Sequence, residues 1–188
     1  VEKRTVLQDV GKVEFYETRV KHTRYMANVA GLGYDAVVNL KYNDLKDDGK
    51  YGRGLYLRST FHTFLGYTAK KFRIKTDGEL FYEGMVFSGA VGIGKYNGGG
   101  MQQTPNAQID DGLMDLTIIK KISKLRIVRN FKLLYSGNIY SIPKVLHTQT
   151  KKIEIETWPE TRIEIDGEAV GTSPFVFELV PQCIRVVV

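Results

Sequence analysis

Alternating polar and apolar residues dominate this chain and predict short β-strands. Residues 71–76 alternate, Asp77 and Gly78 form a two-residue turn signal, and residues 79–83 run on in an extended pattern. Together they predict an antiparallel hairpin that has one solvated face.

A second group of such segments lies near the end of the sequence. Residues 152–156 and 162–165 alternate, Asp166-Gly167 repeats the turn signal, and 175–180 and 184–186 follow. Four closely spaced strands are predicted there. The fold class expected is therefore mainly β, an antiparallel β-sandwich-like domain.

Two segments break this alternation and predict about two α-helices. Residues 54–67 and 123–135 place apolar side chains at helical spacing, which predicts one buried face on each helix. Ser123 stands where it can cap the second helix, and Gly137 lies just beyond its end. The apolar stripe of this helix comprises Leu125, Val128, Phe131 and Leu134 or Tyr135.

Length and composition narrow the class of protein. With 188 residues, 43% hydrophobic and 26% charged, the chain fits one globular domain and not a disordered, collagen-like or coiled-coil protein. No apolar run approaches the roughly 20 residues that cross a bilayer, so we expect a soluble, cytosolic protein. The single cysteine, Cys183, lies in an apolar tail and is expected to be buried.

The net charge of +6 favours an anionic partner, such as nucleic acid, a phosphorylated ligand or an acidic membrane face. Charge alone does not choose among these partners. The densest basic cluster, residues 120–126, opens the second predicted helix and is interpreted as a solvated helix face.

Two glycine-rich segments indicate turns or close ligand approach. Residues 28–36 contain GxGxxA, but the polar, turn-like residues 43–50 that follow do not fit a dinucleotide-binding βαβ unit. Residues 92–101 hold three consecutive glycines and lack the P-loop pattern. This loop is either structural or contacts phosphate through its amides.

Carboxylates cluster in residues 105–115, where Asp110, Asp111 and Asp115 surround a turn that is either solvated or binds a hard cation. The three histidines share no metal-ligand spacing, so a zinc site is not expected. Asp166-Gly167-Glu168 and Asp77-Gly78-Glu79 are equally well explained as turns.

Taken in order, four segments resemble the C-terminal domain of the diacylglycerol kinase and sphingosine kinase family, including its bacterial YegS-like and DgkB-like lipid kinases. The segments are residues 28–36, 98–101, 105–115 and 165–168. Family members are similar to NAD kinases in plan, with an N-terminal domain whose GGDGT loop holds ATP phosphates. This sequence contains no GGDGT, so the resemblance implies that residues 1–188 form the single C-terminal domain of a two-domain kinase.

The resemblance also implies roles for individual residues. Asp166 matches the general base that acts on the lipid alcohol. Asp111, with main-chain oxygens at Gln108 and Leu113, matches the ligands of a structural Mg²⁺. Further residues expected to line the cleft are Asn28, Gly31, Gly33 and Glu168.

The function expected is phosphoryl transfer from ATP to the hydroxyl of diacylglycerol or a similar lipid, with the isolated chain inactive. Partners implied are the lipid, the N-terminal kinase domain, a peripheral membrane surface in the cytoplasm and a second copy in a homodimer; nucleic acid is not expected. The alternative is a non-catalytic module that binds anionic lipid or nucleic acid.

Two positions depart from the family pattern. Ile93 stands between Gly92 and Gly94 where the family commonly has asparagine, and Asn97 stands where an aromatic is common. An active enzyme of altered specificity and a degenerate relative are both compatible with these changes.

Overall fold

The computed structural model describes residues 5–47 and 61–187, and strands dominate them. The strands are β1 (Thr5–Glu17), β2 (Val20–Met26), β3 (Val29–Gly33), β4 (Lys70–Thr76), β5 (Glu79–Gly92), β6 (Tyr96–Asn97), β7 (Met101–Gln102), β8 (Met114–Lys120), β9 (Val145–Thr150), β10 (Lys152–Trp158), β11 (Arg162–Ile165) and β12 (Glu168–Val187). The helices are α1 (Tyr34–Asp47), α2 (Lys124–Asn130) and α3 (Lys132–Tyr135), with residues 61–66 also helical and a 3-10 turn at Ile139–Ser141.

The main sheet closes on itself. Its strands follow the order β10, β4, β5, β3, β11 and β12, and β12 pairs again with β10. Strands β1 and β2 extend the sheet from β12, whereas β8 and β9 extend it from β5. All these pairings are antiparallel. The mainly β, sandwich-like class predicted from the sequence is confirmed.

The core lies between the inward faces of these strands. Alternation predicted this correctly in β4 and β10, where Phe72, Ile74, Ile153 and Ile155 are buried and the residues between them are more exposed. Each such side chain contributes roughly 1.5–3 kcal/mol when it leaves water. The β12 residues Phe175 and Phe177, both fully buried, add the largest side chains.

The two predicted Asp-Gly turns are present. Asp77 and Gly78 join β4 to β5 with φ values of 48° and 88°, and Asp166 and Gly167 join β11 to β12 with 48° and 93°. Positive φ at both central residues is what a two-residue hairpin turn requires.

Helix α1 was not predicted. The polar residues 43–47, read as turn-like from the sequence, form its last turns, while 48–50 lie outside the described residues. Ala36 and Val38 are buried, and the helix packs on β3, β5, β11 and β12. The dinucleotide-binding reading still fails, because β3 pairs antiparallel with both neighbours.

The predicted helix at 123–135 forms as the pair α2 and α3, with Phe131 between them. Ser123 holds the N-cap position without a side-chain hydrogen bond, and Gly137 follows with a φ of 72°. The expectation that its apolar stripe is buried was wrong, because neither helix contains a buried residue. Of the helix predicted at 54–67, residues 61–66 are helical and 54–60 lie outside the described residues.

The end of the chain also differs from the prediction. Residues 168–187 form one strand, with a shift of register where Asp9 of β1 faces the segment around Gln182. The buried Asp9 carboxylate accepts the Gln182 amide at 2.7 Å, which holds the bulge. Cys183 is exposed, contrary to expectation, since the residues after the bulge extend past the core.

Candidate functional site

The Asp166 turn is fixed to the start of β3 by main-chain hydrogen bonds. The Asp166 amide donates to the Val29 carbonyl at 3.1 Å. Its carboxylate accepts three amides, from Ala27 to Oδ2 at 2.7 Å and from Asn28 and Val29 to Oδ1 at 3.0 Å each. The side chain therefore lies in one orientation, set by backbone and not by other side chains.

These bonds leave one atom of Asp166 available for chemistry. A carboxylate offers about four lone-pair directions, two on each oxygen. Both directions on Oδ1 are used, whereas Oδ2 accepts a single amide. Because Asp166 is exposed, the remaining lone pair of Oδ2 is the position where this residue can take a proton.

A pocket of about 470 Å³ borders this turn through Asn28. Its lining residues are Asn28, Gly94, Lys95, Tyr96, Ala107, Gln108, Ile109 and Asp110. Asn28 connects the two features, since its amide binds Asp166, its side chain donates to the Tyr96 carbonyl at 3.0 Å, and its carbonyl accepts the Gly94 amide at 3.1 Å. The glycine loop and the Asp166 turn thus share one residue as support.

A buried carboxyl group lies directly behind the turn. Glu164 Oε1 accepts the amide of Gly167, the second residue of the turn. A β-carbon added at Gly31 would lie 2.7 Å from Glu164 Oε2 and 2.9 Å from the β-carbon of Asp35. Burial raises the pKa of Glu164 to about 7, and the charges of Asp35 and Asp166 add to the rise.

Asp35, which is half-buried, is the second member of this acidic pair. It lies in the first turn of α1, where its carboxylate accepts the Ser88 hydroxyl and, at 3.0 Å, the Gln103 side-chain amide. Burial raises the pKa of Asp35 to about 6. Gln103 also accepts the Asn97 side-chain amide at 2.8 Å, so the glycine loop is hydrogen-bonded through Gln103 to the acidic pair.

The predicted metal loop lies beside the pocket. Asp111 is exposed and its Oδ1 accepts the Leu113 amide at 3.0 Å, while Gln108 contributes to the pocket wall. Asp115 is buried, which raises its pKa, and the charge of Asp111 raises it further. The adjacent carboxylates of Asp110 and Asp111 are ligands of the type that Mg²⁺ takes, and this ion usually keeps several waters besides one or two carboxylates. No group of three histidine, cysteine or acidic side chains suited to a metal occurs within residues 5–47 and 61–187.

The fold brings together only some of the predicted cleft residues. Asn28 and Gly31 lie within the Asp166 and Glu164 network. Gly33, with a φ of 69°, ends β3 at the Tyr67 hydroxyl, at the other end of that strand from Asn28. Glu168 is exposed and pairs with Arg24 on the outside of the hairpin. None of these positions is tested by the comparisons, so their functional roles stay predictions.

The family of the chain is established by comparison with known proteins. Residues 28–188 match a family model described as the YegS C-terminal NAD kinase beta sandwich-like domain. The chain belongs to this family. This confirms the resemblance recognised in the four sequence segments.

Similar proteins carry kinase names. A probable lipid kinase YegS-like of Shewanella frigidimarina is 32% identical over 167 residues, which are 88% of this chain and 53% of that protein. A diacylglycerol kinase of Mycobacterium tuberculosis is 25% identical over 87% of this chain and 52% of its own length. The chain therefore spans about half the length of the curated relatives that it matches.

Solved structures share the fold of this YegS C-terminal domain. A diacylglycerol kinase of Bacillus anthracis superposes with a TM-score of 0.68 at 25% identity, over 98% of this chain and 56% of that one. Yeast NADH kinase superposes with a TM-score of 0.50 at 9% identity, over 96% of this chain and 42% of that one, and shows the fold alone.

The two departures from the family pattern are explained differently by the structure. Ile93 is fully buried in the core, and its amide donates to the Asn28 carbonyl at 2.8 Å. The change at this position therefore affects packing below the pocket. Asn97 bonds Gln103 and belongs to the network that reaches Asp35.

Sequence reasoning missed the acidic pair for a physical reason. In residues 162–165 the alternation assigned Glu164 to a solvated face. Helix α1 covers that face, and Glu164 is only 9% exposed. The available signal was Gly31, because a glycine within a strand often marks close approach by another group.

Proposed function

We propose that this chain is the C-terminal half of an ATP-dependent lipid kinase and supplies the general base for phosphorylation of diacylglycerol or a similar lipid alcohol. Kinase relatives imply ATP as the phosphoryl donor. Because those relatives are about twice as long as the matched region, we assign the nucleotide-binding GGDGT domain to their remaining half.

The observation that carries this proposal is the open lone pair of Asp166 Oδ2 beside the Asn28 pocket. In the proposed reaction, the lipid hydroxyl gives its proton to Oδ2 while its oxygen bonds to the γ-phosphorus of ATP. The bond from phosphorus to the bridging oxygen breaks and ADP leaves. Lys95, on the pocket wall, supplies positive charge next to the transferred group.

Mg²⁺ is part of the proposal, with Asp111 and the main-chain oxygens of Gln108 and Leu113 as its ligands. Bound there, the ion would neutralise negative charge near the pocket. Crystals grown with magnesium should show an octahedral centre beside Asp111 with oxygens at about 2.1 Å. Solvent density of ordinary water geometry at that position would contradict the assignment.

The proposed setting is the cytoplasm, with the protein peripheral to the membrane that contains its substrate. No helix within the described ranges, 5–47 and 61–187, is long and apolar enough to span a bilayer. A preceding nucleotide-binding domain and a homodimer are the protein partners in this proposal, and nucleic acid is not among them.

Phosphorylation assays on two proteins test this function. One is the 188-residue chain, and the other is the natural protein that contains it together with its nucleotide-binding half. With labelled ATP, Mg²⁺ and a panel of lipid alcohols, we expect a phosphorylated lipid only from the longer protein. Turnover by the 188-residue chain, or none by the longer protein on any lipid of the panel, would overturn the proposal.

The alternative is a non-catalytic module that binds anionic lipid, and the net charge of +6 favours it. Lipid binding is expected under both functions. Binding by the longer protein without transfer of phosphate would select the binding module.

A further inference from the structure

The helix pair α2 and α3 exposes large apolar side chains to solvent. Leu125, Val128, Phe131 and Tyr135 have exposed fractions of 72%, 59%, 47% and 47%. The rings of Phe131 and Tyr135 contact each other edge to face at 5.6 Å, and Leu125 and Val128 precede them at helical spacing. We call these four residues the apolar stripe. A contiguous exposed patch of this kind marks a contact surface.

Positive charge surrounds the stripe. Between Asp115 and Glu154 the sequence contains no acidic residue. Six basic residues lie in the helices or in the segment from the end of β8 to α2, namely Lys120, Lys121, Lys124, Arg126, Arg129 and Lys132. In the part of the chain that the structure describes, none of the six forms an ion pair with a carboxylate, and Lys124 donates to the Leu65 carbonyl instead.

The end of the helix pair contacts the strand that follows the glycine loop. The Tyr135 carbonyl, at the end of α3, accepts the Gln102 side-chain amide at 3.0 Å. The next residue, Gln103, bonds both Asn97 of the glycine loop and Asp35 of the acidic pair. The helix pair that carries the stripe is therefore held, through Gln102 and its neighbour Gln103, next to the network of the candidate site.

We propose that α2 and α3 dock this protein on a bilayer that contains anionic lipids, with the apolar stripe in the headgroup boundary and the six basic residues against the lipid phosphates. A helical surface with aliphatic and aromatic residues on one side and Lys or Arg around them is the pattern of interfacial membrane binding. Anionic leaflets attract such clusters by charge.

Charge favours an anionic bilayer over a second copy of the chain as the partner of this surface. Two copies joined through the stripe would place their basic clusters against each other, which is unfavourable. An anionic bilayer complements the charge and also accepts the aliphatic side chains Leu125 and Val128. The inference deepens the proposed function, since a lipid kinase must meet its substrate at a membrane, but its test does not depend on catalysis.

Vesicle sedimentation with the 188-residue chain measures the docking. The vesicles contain phosphatidylcholine alone or phosphatidylcholine mixed with phosphatidylglycerol. We expect at least about tenfold tighter binding to the anionic vesicles, with the preference falling as salt is added. Equal binding to both vesicles, or binding to neither, would overturn the proposal.

Two variants with matched controls assign the binding to this surface. Leu125→Ser/Val128→Ser should weaken binding about tenfold, whereas Val20→Ser/Leu80→Ser, at exposed positions in strands β2 and β5, should not. Arg126→Gln/Arg129→Gln should weaken binding to anionic vesicles, whereas Lys71→Gln/Arg73→Gln removes equal charge elsewhere and should have a smaller effect. Thermal unfolding checks that all four variants fold.

The remaining outcomes are also decisive. Unchanged vesicle binding by the stripe variant would overturn the proposal, as would a dimer that this variant converts to monomer. Loss of binding by the stripe variant alone supports it, even where the longer protein phosphorylates no lipid. In that case the proposed function fails, but the assignment of the docking surface is supported.

If the longer protein phosphorylates lipid in detergent micelles, the stripe variant should keep that rate and lose turnover on vesicles.

Discussion

The sequence Asp-Gly-Glu occurs at two hairpin turns, and the two are close copies in their local geometry. Asp77 and Asp166 share a φ of 48°, and each donates its amide to a neighbouring strand end, at 2.9 Å to Lys152 and 3.1 Å to Val29. Each carboxylate also accepts amides from that strand end. An aspartate held by main-chain amides is thus a structural device of this fold and not in itself a catalytic signature.

The surroundings of the two turns differ. Hydrogen bonds from the Thr150 hydroxyl and from neighbouring main-chain amides lower the pKa of Asp77. Two positions before Asp77 the chain has the exposed Lys75, whereas two positions before Asp166 it has the buried Glu164. Only the Asp166 turn adjoins the Asn28 pocket. The comparison teaches that any chemistry at Asp166 comes from its neighbours.

The pH dependence of stability should distinguish the two turns most strongly. The pKa of Glu164 is about 7 in the folded protein, above its ordinary value of 4.5, so the folded state binds more protons between these values. The stability that protonated Glu164 contributes is therefore fully present below pH 4.5 and is lost as the pH rises through 7. Asp35, raised from 3.8 to about 6, acts in the same direction at lower pH.

Glu164→Gln removes the charge while retaining an acceptor for the Gly167 amide. We expect this variant to be more stable than the native protein at pH 8, by at most about 3 kcal/mol, and within about 1 kcal/mol of it at pH 5. Lys75→Gln, the equivalent position at the other turn, should change little at either pH. Urea unfolding at both pH values measures this, and a Glu164→Gln variant that is destabilised equally at pH 5 and 8 would refute it.

A smaller effect is expected at Gly31. The added β-carbon of Gly31→Ala would lie within 2.9 Å of both members of the acidic pair, so the strand or α1 must shift, at a cost of about 1–3 kcal/mol. Gly66→Ala meets no atom within 4 Å and serves as the control. Denaturant midpoints compare the two, and an unaltered midpoint for Gly31→Ala would show that the pair is not packed against this glycine.

The smallest expected effect tests the likeness of the turns. Gly78→Ala and Gly167→Ala meet no nearby atom, but each places a side chain at positive φ. Both should lose about 1 kcal/mol. Thermal unfolding should give matching shifts for the two variants; a clearly larger loss at Gly167 would mean that the turns are not equivalent locally.

Local rules predicted the parts of the fold that neighbouring residues determine. Both Asp-Gly turns and the alternation of β4 and β10 follow from φ preferences and from the two-residue period of a strand. The start of the second helix at Ser123 and the glycine after its end also follow from local preferences.

Features that depend on distant packing were not predicted. Half of the 14 residues of helix α1 are polar, and the helix is stabilised where its buried face packs on the sheet. The burial of Glu164 depends on that helix. The stripe at Leu125 and Val128 was read correctly as one face of a helix, but periodicity does not tell what covers that face. The family motifs indicated Asp166, and only the fold placed it beside a pocket.

The central claim is that Asp166 acts as a base and Asp77 does not, although both are held alike. The direct measurement is the rate of lipid phosphorylation by the longer protein of the proposed function, with Asp166→Asn and Asp77→Asn compared at matched folding. We predict that Asp166→Asn lowers kcat by roughly 10²–10⁴-fold while Asp77→Asn leaves it near the native value. Equal rates in the two variants would contradict the account.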